Sequence, residues 1–169
     1  MNVPNTESVP FYYTSILYRL QSHSVNQGQM YLPDIIKAIE RDLTVLLNTP
    51  CLPKTCDKHL TEIADSIFNF GIADLTPFNP DNRKDQEKVA QLITQAISRF
   101  EKRLDQVYVS SVVSARSSVL STSMHFKVNA RLNVPPYKAP VSFDSRIQPS
   151  INQVVIKLDP LLGQDVDYG

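Results

Sequence analysis

Ile97-Ser98-Arg99-Phe100-Glu101-Lys102-Arg103-Leu104-Asp105-Gln106-Val107-Tyr108-Val109 (residues 97–109) changes its hydrophobic period at its centre. Upstream, Val89, Leu92, Ile93, Ala96, Ile97 and Phe100 recur at the spacing of one helical face. Downstream, Val107, Val109 and Val112 belong to a β-branched, serine-rich run that reads as a strand over 104–113. A charge cluster, Glu101-Lys102-Arg103, sits where helix hands over to strand. Such a pair can anchor the junction from inside or present it to a partner, since Arg–carboxylate contacts are geometrically specific in either setting.

Outward from this hinge the periods stay distinct. Leu32, Ile35, Ile36, Ile39, Leu43, Leu46 and Leu47 fall on one helical face, with Pro33 and Asp34 suited to a first turn and Asn48 and Pro50 to a stop. A Pro/Cys/Thr loop follows over 49–57. Leu60, Ile63, Ile67 and Phe68 then outline a shorter helix closing at Gly71, a natural left-handed cap. A third helix is expected from about Lys84 to Phe100. Met124, Phe126, Val128, Ala130 and Leu132 alternate with His125, Lys127, Asn129 and Arg131, the pattern of a half-buried antiparallel strand ended by Pro135-Pro136. Val141 and Phe143 begin a third strand, and Val154, Ile156 and Leu158 offer a fourth. Helices followed by strands predict an α+β domain, about three helices packed on a small, mostly antiparallel sheet. The expected organisation is a flexible leader over 1–30 with a short docking helix (Tyr12, Tyr13, Ile16, Leu17, Leu20), a main domain over 31–146, and a C-terminal strand and polar tail over 147–169.

Composition narrows the function. Seventeen basic residues balance seventeen acidic ones in 169, so the chain lacks the basic excess that phosphate neutralisation requires, and no nucleic-acid partner is expected. No apolar run approaches the roughly 18 residues that span a bilayer, and Met1–Pro10 lacks the basic and apolar regions of a secretory signal. A cytoplasmic protein is expected. Cys51 and Cys56, with His59 nearby, could supply three metal ligands, but no second pair completes a zinc site and reduced thiols are the simpler expectation. No metal, cofactor or small-molecule substrate is anticipated.

Four blocks in order carry a resemblance. They are Ser15-Ile16-Leu17-Tyr18-Arg19-Leu20; Ile39-Glu40-Arg41-Asp42-Leu43 running into Leu46-Leu47-Asn48-Thr49; Phe68-Asn69-Phe70-Gly71-Ile72-Ala73-Asp74-Leu75; and Ile97 to Leu104 leading into Val107-Tyr108-Val109. Over roughly 15–145 the chain resembles the TssE family, the baseplate subunits of type VI secretion systems, themselves similar to the lysozyme-related wedge protein of contractile phage tails. The family's Glu-Pro-Arg hallmark reads Glu101-Lys102-Arg103 here, with lysine in place of proline. Lysine permits another helical turn, so the helix is expected to run one to three residues further.

The resemblance implies a structural role: binding other wedge subunits and sheath subunits, and seeding sheath polymerisation by strand addition to an exposed sheet edge. The candidate edges are the strand near 104–113 and the strands after Pro136. Glu101, Lys102, Arg103, Arg41 and Asp42 become the expected protein-binding residues, with Glu101 holding the local backbone and Arg103 facing another subunit. Arg41 and Asp42 also fit a plain exposed helix face. Leu46, Leu47, Asn48, Gly71, Phe100 and Leu104 make up the structural motif.

Two other functions compete. A lysozyme-like glycosidase needs two carboxyls facing each other across a cleft. Glu62, Asp65, Asp74 and Glu101 are available, yet their spacing creates no cleft and the chain has no tryptophan. His23, His59 and His125 fall in unrelated segments, and no nucleophile elbow or phosphate loop occurs, so no catalytic residue is assigned. The other competitor is a small adaptor or regulatory domain of the same fold.

Overall fold

The computed structural model describes residues 31–51, 69–112 and 122–159. Within them the order is helix α1 (Leu32–Asn48), helix α2 (Arg83–Phe100), strand β1 (Leu104–Ser111), strand β2 (Met124–Leu132), strand β3 (Pro140–Gln148), a 3-10 turn (Pro149–Ile151) and strand β4 (Gln153–Leu158). The class is α+β, as the sequence predicts, with two α-helices among the described residues. The helix expected over 60–71 falls mostly on residues outside that description, as do the leader, Cys56 and His59.

α1 begins with Pro in its first turn, where a missing N–H costs nothing, and Tyr31 O takes the N–H groups of Asp34 and Ile35. Its buried stripe is Leu32, Ile35, Ala38, Ile39, Leu43, Leu46 and Leu47. α2 starts one residue before the expected Lys84, because Asn82 Oδ1 accepts the Lys84 N–H at 3.0 Å and so sets the N-cap. Val89, Ala90, Ile93, Ala96 and Ile97 form its buried face.

The four strands make an antiparallel meander in the order β1-β2-β3-β4, so β1 and β4 are the edges. α2 packs chiefly against β1 and α1 against β4, placing the core between one sheet face and the helix pair. Phe126, Val128, Leu132, Phe143, Ile147, Val154 and Ile156 fill it from the sheet. Ser145 lies on that face opposite Phe126 and Ile156, with its hydroxyl buried and without a hydrogen-bond partner among the described residues. β1 carries a bulge between Asp105 and Tyr108, where Gln106 takes a φ of 52°.

The segment 69–75 is tied in at two points. Cys51 N–H donates to Ile72 O and Ile72 N–H to Thr49 O, both 2.9 Å. Leu75 N–H donates to Asn152 Oδ1 at 3.1 Å. Gly71 sits at the first tie with a φ of +121°, and a Cβ there would lie 2.2 Å from Thr49 O. Sequence pattern predicts a helix terminator here, on a helix whose expected span lies mostly outside the described residues. What the fold shows at this glycine is the close approach of two backbones.

Candidate protein-interaction site

α2 ends at Phe100, without the one to three further residues expected from lysine at position 102. The cause is a turn: Glu101 O accepts the Leu104 N–H at 3.2 Å, and Leu104 is buried as the first residue of β1. Lys102 occupies the second position of that turn, where proline is ordinarily favoured and lysine is permitted. Tertiary burial of Leu104 therefore stops the helix where no local helix breaker stands.

Glu101 is 7% exposed. Its carboxylate accepts Arg103 Nε at 2.7 Å on one oxygen and Arg103 Nη2 at 2.5 Å on the other, with the Arg103 backbone N–H also donating at 3.2 Å. Arg103 Nη2 donates further to Asp42 Oδ2 of α1 at 2.6 Å. The side chains of Arg103 and Asp42 are 13% and 16% exposed. Burial works against the charge of Arg103, but the bonds and charge of Glu101, then of Asp42, outweigh it and raise its pKa above the usual guanidinium value. Of the five expected contact residues, three thus form one internal bracket between α1 and the α2–β1 turn. Arg41 and Lys102 stay exposed beside it. Of the expected division of labour, Glu101 does hold the local backbone through the Arg103 N–H, while the Arg103 guanidinium turns to Glu101 and Asp42 within the chain.

Phe100 stacks edge-to-face on Phe70, with centroids 5.3 Å apart at 68°. Leu46 and Leu47 are core, and Asn48 does more than end α1. Its Nδ2 donates to Thr44 O (2.7 Å) and Val154 O (2.8 Å), while its Oδ1 accepts the Val154 N–H at 2.9 Å. No local pattern signals this contact, because the partners lie 106 residues apart.

The β1 edge is different. Val112 N–H donates to His125 O of β2 at 2.8 Å. By the alternation of an antiparallel ladder, Ser110 and Tyr108 bond β2 as well, and Val109 and Ser111 turn their N–H and C=O groups away from it. Among the described residues nothing bonds those outward groups. A groove of about 680 Å³ runs between this edge and α2, lined by Gln86, Gln91, Thr94, Tyr108, Val109 and Ser111 among others. Ser111 Oγ donates across its floor to Gln86 Oε1 at 2.7 Å, and Tyr108 is 66% exposed.

On the outer sheet face Lys127 pairs with Asp159 at 2.7 Å, which raises the lysine's pKa. Asp74, offered by sequence as a carboxyl for acid–base chemistry, instead accepts the backbone N–H and hydroxyl of Thr76, and the first of these chiefly lowers its pKa. Among the described residues no His/Cys/Asp/Glu cluster could hold a metal ion, and no helix is long and apolar enough to cross a membrane.

The chain belongs to the family described as baseplate wedge protein gp25, which matches residues 34–137. That span takes in α1, α2, β1 and β2 with the bracket, while β3 and β4 follow it. No curated protein and no solved structure matches the chain.

Proposed function

We propose that this protein is the TssE-type wedge subunit of a type VI secretion baseplate, a structural rather than catalytic component working at the cytoplasmic side of the machine. It seeds the contractile sheath by accepting a strand along β1. Family membership supports the baseplate role. The observation that carries strand acceptance is the outward row of Val109 and Ser111 main-chain groups above an open groove, since an unpaired edge bonds an extended segment with no special side chains. Arg41 and Lys102, exposed beside the bracket, are the surface offered to other wedge subunits. The bracket sets their position. A glycosidase role finds no support at Glu101, both of whose carboxylate oxygens are engaged by Arg103.

A proline at Ser111 tests the edge. The N–H it removes faces away from β2, and proline is tolerated on an edge strand in that setting. Ser111→Pro is expected to keep a cooperative melt yet lose sheath assembly when it replaces the native chain. Tyr108→Pro, which removes an N–H used by β2, should unfold the sheet instead. Full sheath assembly by folded Ser111→Pro would rule out strand addition at β1.

A further inference from the structure

We infer that Asn48 closes the β4 edge against strand addition, so that this sheet can be extended from β1 alone. Val154, Ile156 and Leu158 alternate with the residues of β4 that bond β3, and Val154 and Leu158 turn their N–H groups to the side where α1 lies. The Asn48 amide satisfies both main-chain groups of Val154, as a neighbouring strand would. Glu40, two helical turns earlier on the same face, accepts the Leu158 N–H through Oε2 at a longer 3.4 Å.

The spacing matches. Eight helical residues rise about 12 Å, and four strand residues span about 13 Å, so Asn48 meets Val154 while Glu40 meets Leu158. Thr44, midway on that face, returns its hydroxyl to Glu40 O at 2.8 Å. A helix thus stands in for a fifth strand at two of three levels. The second hydrogen of the Asn48 amide is held by Thr44 O, which fixes its orientation. Asparagine is suited to this because one planar group supplies both a donor and an acceptor. Alanine supplies neither, and aspartate only the acceptor.

The consequence for assembly is directional growth, and that part rests on the strand-addition role proposed above. The closure itself can be tested on the full chain alone. Amide hydrogen exchange should find Val154 slow and Val109 and Ser111 fast, although all three point off a sheet edge. Asn48→Ala should speed Val154 exchange roughly tenfold or more. It should also produce concentration-dependent self-association in sedimentation, trapped as a cross-link between copies when Val155→Cys is added. Asn48→Asp should keep part of the protection. Val154 exchanging as fast as Ser111 in the native chain would overturn the inference, whatever the fate of the variants. So would faster exchange in Asn48→Ala with no self-association, since the helix and not the amide would then close the edge. If Ser111→Pro leaves sheath assembly intact, the role of β1 falls and the exchange result still stands.

Discussion

At the scale of single residues, the Glu101–Arg103–Asp42 bracket gathers three charged side chains, each at most 16% exposed, within hydrogen-bond distance. Removing Arg103 leaves Glu101 buried and uncompensated, which costs about 3–5 kcal/mol in comparable buried pairs. Arg103→Ala is therefore expected to destabilise by roughly 3 kcal/mol in denaturant unfolding. Asp42→Ala should cost clearly less, because Glu101 still holds the guanidinium at two atoms. The double variant should fall short of the sum by about 1 kcal/mol or more, as contacting residues do. Additive costs would show that Asp42 and Arg103 are neighbours without coupling. A loss of subunit binding in Arg103→Ala is accordingly no proof of a direct contact unless the fold is restored by other means.

At the scale of elements, the α2–β1 turn holds lysine at a position whose preceding backbone suits a proline. Glu101 has φ −106° and ψ 85°, on the extended side that a following proline prefers. The Lys102 N–H has no hydrogen-bond partner among the described residues. Lys102→Pro should then stabilise by about 0.5–1 kcal/mol through the unfolded state, raising Tm by roughly 1–4 °C. Arg103 should keep its contacts. A fall in Tm would mean that the turn needs a conformation closed to proline. The helix end was only partly legible beforehand: the apolar period stops at Phe100, but whether Lys102 extends it depends on Leu104 being buried, a tertiary fact.

At the scale of the whole molecule, the family match ends at residue 137 although the core does not. Phe143, Ile147, Val154 and Ile156 are buried beyond it, and burying each such side chain contributes about 1.5–3 kcal/mol. Together they rival the ~5–15 kcal/mol net stability of a typical domain. A chain cut after Ala139 should therefore show no cooperative transition by circular dichroism. It would also lose the Asn48 clasp and the Asn152 tie to Leu75. A melt retained within a few degrees of the full chain would show that the matched segment folds alone.

The sequence by itself determined the element types, the buried faces and the class. Helical and strand periods are local properties, readable at Leu32–Leu47 and Met124–Leu132 without knowing what they pack against. It also marked Glu101, Arg103 and Asp42 as residues worth explaining. Only the tertiary structure decided which way they point, because a guanidinium's direction depends on a carboxylate 61 residues away. The same holds for the edges of the sheet. Both β1 and the later strands read as candidates, and what sets β4 apart is the Asn48 amide on Val154, a partner remote in sequence and near only once the helix lies along β4.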